Sequence, residues 1–195
     1  MTITMSSRIL FFTAATLISL TASGCATAPK SSEGKADIIK DADRALAKAR
    51  RSDPTVDRVL DDAYGIAVFP KVGKGAVGVG GAYGKGVVYE NGNVVGYCDM
   101  TQGSIGFQLG GQSYTEIICF QDTKSLKRFK DENFTFSGQA TAVALESGAG
   151  ANASYRDGVC VFTTDESGLM FEASLGGQKF SYEGLSKNDN RVAQH

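Results

Sequence analysis

Gly86-Val87-Val88-Tyr89-Glu90-Asn91-Gly92-Asn93-Val94-Val95-Gly96-Tyr97 is the stretch on which the fold turns. Asn-Gly between two β-branched runs marks a two-residue hairpin, because both central positions accept the positive φ that matches the twist of the flanking strands. This reading pairs Glu90 with Asn93 and sets Val88 opposite Val95. Further turn signals at Gly110-Gly111, Asp165 to Gly168 and Gly176-Gly177 separate runs at 104–109, 113–120, 135–145, 159–164, 169–175 and 179–183. Their spacing predicts a mostly antiparallel unit of about eight strands.

Upstream of the hairpin the period is helical. Residues 36–51 place Ile38, Ile39, Ala42, Leu46 and Ala49 on one face, with mixed charges elsewhere. Asp53-Pro54 reads as an N-cap followed by proline at the first helical position, and Gly65 stops the second helix. One short helix, 123–131, interrupts the strands, with Leu126 and Phe129 inward and a basic face of Lys124, Lys127, Arg128 and Lys130 outward. The fold class is therefore α+β: two helices, then a curved sheet or partly closed barrel with one helical interruption. Glycine crowds the run from Gly73 to Gly111, which marks sharp sheet bends and bulges or a groove floor open to a ligand.

Composition narrows the function. Lys+Arg 20 against Asp+Glu 21 gives a net charge of -1, so bulk attraction to nucleic acid is excluded as the working principle. At 195 residues and 42% hydrophobic the chain can bury roughly 70% of its unfolded surface in a core. The single histidine is His195, the last residue, which leaves Ser-His-Asp, Cys-His and His-based zinc chemistry without a scaffolded imidazole. Gly78 to Gly84 does not give the G-x-G-x-x-G spacing, and Gly84-Lys85-Gly86 lacks the P-loop frame. Glu90, Asp99, Glu116, Glu146 and Glu172 read as solvated strand-face charges. No catalytic residue, metal site or cofactor is assigned, and the chain reads as non-enzymatic.

The N-terminus carries an address. Residues 9–20 form an apolar run too short for a bilayer span of about 20 residues, as in a secretory signal peptide. Thr21-Ala22-Ser23-Gly24-Cys25 resembles the lipobox of bacterial lipoproteins, which implies cleavage after residue 24 and lipidation of Cys25, palmitate among the acyl chains; the alternative is an ordinary signal peptide with Cys25 a free thiol. Ala26 after the cysteine, where an Asp would resemble the inner-membrane retention signal, implies the outer membrane, on its periplasmic side or exposed at the surface. Residues 25–34 read as a lipidated tether, 35–185 as the domain and 186–195 as a polar tail. Cys98, Cys119 and Cys160 then lie in an oxidising compartment, either buried in strands or with one pair joined.

Ala63-Tyr64-Gly65-Ile66-Ala67-Val68-Phe69-Pro70, then Lys74-Gly75 and Gly80-Gly81-Ala82-Tyr83-Gly84-Lys85-Gly86-Val87, resemble the opening of the SYLF lipid-binding domain family. Ser104-Ile105-Gly106-Phe107-Gln108-Leu109-Gly110 and Ser167-Gly168-Leu169-Met170 are similar to its later strands. The chain departs from the family pattern at Tyr97-Cys98-Asp99-Met100 and Phe171-Glu172-Ala173. The resemblance implies binding of phospholipid or phosphoinositide headgroups, and of actin in some fungal members, a partner that does not suit an exported lipoprotein. No contact pattern transfers with it; Lys71, Lys74 and Lys85 are basic residues beside the matching glycine turns and are the candidate ligand contacts. The expected partner is phospholipid or another anionic amphiphile, with membrane attachment through the anchor. The alternative is a structural envelope protein docking a protein partner through its sheet edge or first helix.

Overall fold

The computed structural model describes residues 27–77, 79–105, 112–131, 134, 136, 142–145, 148–165, 177–186 and 189. The signal segment, Cys25, the expected strand 169–175 and most of 135–145 lie outside the described residues.

Helix α1 (Ser32–Ser52) starts four residues before the expected position because Ser31 caps it, accepting from the Gly34 N–H at 3.0 Å. Asp53 caps α2 (Pro54–Asp62), with Pro54 in the first turn as its spacing predicts. The sheet follows: β1 (Gly65–Val77), β2 (Val79–Glu90), β3 (Asn93–Ile105), β4 (Gln112–Phe120), β5 (Val143–Ala144), β6 (Val159–Asp165) and β7 (Gln178–Gly184), with α3 (Thr123–Lys130) after β4 and a short α4 (Ala149–Asn152) after β5. The order across the sheet is β5-β6-β4-β1-β2-β3-β7, and the sheet is not closed. Every pairing is antiparallel except β5 with β6. The described sheet thus has seven strands rather than about eight, is mixed, and is accompanied by a fourth helix that the sequence reading lacks.

The Asn91-Gly92 turn has φ of 49° and 77°, and Glu90 pairs with Asn93. Val88, however, faces Gly96 rather than Val95, because the register shifts between Val88 and Tyr89 and leaves one extra residue on β3. A second irregularity lies at Phe69-Pro70. Three steps along β1 (Phe69 to Val72) span two along β4 (Glu116 to Tyr114), so Phe69 and Val72 share a face despite their odd spacing. Proline has no N–H for a ladder, and inside a central strand it is tolerated at such a bulge.

Both faces of the sheet are covered. On one, α1, α2 and α4 close over Val68, Val87, Tyr97, Ile117 and Phe162. On the other, α3 contributes Leu126 and Phe129 to a core with Phe69, Phe120, Phe134 and Phe180. Gln178 Nε2 on β7 donates to Glu116 Oε2 on β4 at 3.0 Å. Four strand spacings separate β4 from β7, about 19 Å in a flat sheet. Only a strongly coiled sheet brings the two side chains together, and the glycines permit that coil: a Cβ on Gly86 would lie 2.5 Å from the Val68 carbonyl oxygen.

Candidate functional site

The β1 bulge that accommodates Pro70 turns Lys71 onto the α1 face of the sheet, where it pairs in register with Lys85 of β2. Both line a groove of about 300 Å³ whose other walls are Pro29, Gly34, Asp37, Ile38, Asp41 and Pro70. Lysines thus form the sheet wall and Asp37 and Asp41 the helix wall, with Ile38 as the apolar element. Like charges directly opposite on neighbouring strands repel. Here that repulsion is relieved in part from outside the sheet: Lys85 Nζ reaches the carbonyl oxygens of Thr27 and Ala28, at 3.3 and 3.4 Å. Lys85 also pairs in register with Asp99 of β3, a residue only 7% exposed. Lys74 takes its place on β1 opposite Ala82; its side chain lies outside the described residues. The structure therefore brings Lys71 and Lys85 together.

The residues expected to be a loose tether are packed against the sheet. Ala28 is 4% exposed, and its N–H donates to Glu183 Oε2 at 3.1 Å. Lys35, three residues into α1, forms a 2.8 Å ion pair with Asp189 and lies 5.5 Å from the Tyr97 ring centroid. That lysine holds the Asp189 carboxyl below its usual value, helped by Ser186. Burial pushes the Tyr97 hydroxyl up to about 12, with Asp189 and Glu183 adding to the effect.

The basic face of α3 is largely engaged within the protein. Asp122 and Ser125 form a capping box at its start. Lys127 pairs with Asp131 at 2.7 Å, and Arg128 donates to the Asp157 carbonyl while lying 6.0 Å from the Phe134 ring centroid. Lys130, expected to point outward, is turned in: it pairs with Glu90, which also accepts from the Tyr64 hydroxyl at 2.7 Å. Lys130 first, then Tyr64, hold the Glu90 carboxyl below its usual value. A cavity of about 240 Å³ beside Lys124 and Arg128 is bounded by Asp122 and Asp157, so its charge is balanced.

Two of the acidic residues read as solvated strand-face charges are buried. Glu116 is fully buried, held by Gln178, and Asp99 is nearly so. For Glu116 the cause is the sheet's coil, which turns the β4 face inward, and no strand-local pattern signals it. Glu146 and Glu172 lie outside the described residues. Cys98, Cys119 and Cys160 are free and buried in β3, β4 and β6. Burial pushes all three thiols up, Cys160 to about 11. Among the described residues no group of His, Cys, Asp and Glu could hold a metal ion, and no helix is long and apolar enough to cross a membrane.

Sequence reasoning missed the helix wall of the groove and the packed N-terminal segment. Asp37 and Asp41 carried no signal beyond ordinary helix-surface charge, and Ala28 none at all.

Comparison with known proteins places this geometry in context. Residues 101–189 match the Ysc84 family, described as a Las17-binding protein actin regulator. Beta cell expansion factor A of Aeromonas veronii is 27% identical over 149 residues, which cover 76% of this chain and 57% of that protein. The chain spans little more than half the length of this relative.

Proposed function

We propose that this chain, a SYLF-family protein by its match over residues 101–189, is a non-enzymatic lipoprotein acylated on Cys25, anchored in the outer membrane on its periplasmic side, whose domain binds phospholipid or another anionic amphiphile. The observation that carries this reading is the in-register pair Lys71 and Lys85 at the mouth of the α1 groove. Two lysines at one groove offer a phosphate two ammonium donors. Asp37 and Asp41 across the groove suit a cationic headgroup substituent, and Ile38 suits the start of an acyl chain.

The six-phenylalanine interior supports a surface site rather than an internal one. Phe69, Phe120, Phe129, Phe134, Phe136 and Phe180 fill the concave side, with ring centroids 5.0 Å apart for Phe120 and Phe129. Acyl chains would remain largely in the bilayer while the headgroup is held.

Co-sedimentation of the protein lacking residues 1–25 with anionic and neutral vesicles tests the reading. Each lysine near an anionic surface contributes about 1 kcal/mol, so Lys71→Ala with Lys85→Ala weakens binding about thirtyfold. Raised salt weakens the unmodified protein in the same direction. Equal sedimentation with both vesicle types, or an unaffected double variant, would remove the assignment. A second reading rests on β7, the last of the described strands on that side of the sheet: a protein partner would add to that edge. Crosslinking to one partner with no lipid retained would favour it.

A further inference from the structure

We propose that residues 27–29 are a dock rather than a tether, and that they hold the β2–β3–β7 side of the α1 face against the lipid bilayer. The inference rests on the reading of Cys25 as the acylated residue and adds to it an orientation. Ala28 is buried, its N–H is bound by Glu183 of β7, and Lys85 of β2 holds the carbonyl groups of Thr27 and Ala28. These contacts come from strands far away in sequence, so they fix the segment to the sheet and not merely to the helix that follows.

Only three peptide steps join Cys25 to Ala28. Fully extended they span about 10 Å. An acyl chain in the membrane therefore cannot leave the docked segment farther than that from the bilayer surface. A free ten-residue coil would allow the domain any orientation; a docked Ala28 allows the β7 side of the domain beside it to meet the membrane and turns α3, on the other face of the sheet, away.

The test uses the acylated protein, purified from the membranes of a bacterial host and reconstituted into vesicles carrying a nitroxide-labelled phosphatidylcholine headgroup. A fluorophore is attached at Lys179→Cys on β7, exposed and near Glu183, or at Lys124→Cys, exposed on α3. Cys98, Cys119 and Cys160 are buried and do not compete for the label. The expected result is quenching at 179 severalfold stronger than at 124. Two further variants separate the dock from the anchor. Glu183→Ala, which releases Ala28, brings the two positions towards equality. An insertion of about twelve Gly/Ser residues between Ala26 and Thr27, a coil of about 20 Å, leaves the dock intact and removes quenching at 179. Equal quenching at the two positions in protein whose acylation is confirmed by mass, or stronger quenching at 124, would overturn the dock alone. A mass showing unmodified Cys25 would overturn the anchor reading, and the dock with it.

Discussion

Asp53 joins three parts of the molecule through one carboxylate. It caps α2 by accepting from the N–H of Thr55, takes the Thr55 hydroxyl, and accepts from the N–H of Gly148 ahead of α4. Those bonds, the Thr55 side chain foremost, hold its carboxyl below the usual value. Asp122, Glu90 and Asp189 are lowered as well. A carboxylate lowered in the folded state stabilises fully above its unfolded value, about 3.9 for Asp, and that contribution is lost as pH falls through the folded value. Thermal melts should therefore be flat from neutral pH to about 5 and fall below about 4. Asp53→Asn, which keeps an acceptor for the cap, should melt only slightly lower than the unmodified protein at neutral pH and show a shallower acid fall; Asp53→Ala should lose the cap at every pH. At the same scale, the buried thiols of Cys98, Cys119 and Cys160 should resist an aromatic disulfide reagent at pH 8 in the folded protein and react after denaturation. Ready reaction in the folded state would contradict their burial.

The elements explain where glycine is required and where it is incidental. On β2, a Cβ at Gly86 would lie 2.8 Å from the Phe69 ring and 2.9 Å from Cys98 Sγ, as well as against the Val68 carbonyl. The backbone on one side and a core ring on the other leave no room to yield. Gly86→Ala should cost about 3 kcal/mol, the upper end for overpacking. On β3, a Cβ at Gly103 meets nothing within 4 Å. Gly103→Ala should be neutral or stabilise by about 0.5 kcal/mol, since it removes unfolded-chain freedom without a clash. Chemical denaturation of the pair checks both, and similar midpoints would mean that the coil of the sheet does not depend on close backbone approach. The hairpin and the Asp53 cap were legible in the sequence, because each is decided by residues adjacent in the chain; the Ser31 cap of α1 was not. The Val88–Gly96 register was not: nothing local marks the bulge on β3, and the close approach of Tyr182 and Glu183 of β7 to Gly96 comes from a strand far away in the chain.

At the scale of the whole molecule, Phe180 fastens the β7 edge to the rest. Its ring lies within 6 Å of those of Phe69, Phe129, Phe134 and Phe136. Phe180→Ala should cost about 3–5 kcal/mol. Hydrogen exchange should show the amides of β7 losing protection before those of β1 and β4, because among the described strands β7 pairs with β3 alone and the ring contacts supply its second attachment. Uniform loss across the sheet would mean that β7 unfolds only with the whole domain.

The sequence by itself determined α1, α2 and α3, the Asp53 cap and the Asn91-Gly92 hairpin. These are properties of neighbours, fixed by backbone preference and by the periods of helix and strand. Only the tertiary structure decided that Lys71 and Lys85 share a groove with Asp37, that Lys130 is spent on Glu90, that Glu116 is buried against Gln178, and that Ala28 is held by Glu183. Each of those joins residues from separate segments, and the contact exists because the sheet coils and bulges by amounts set by the packing of both faces at once.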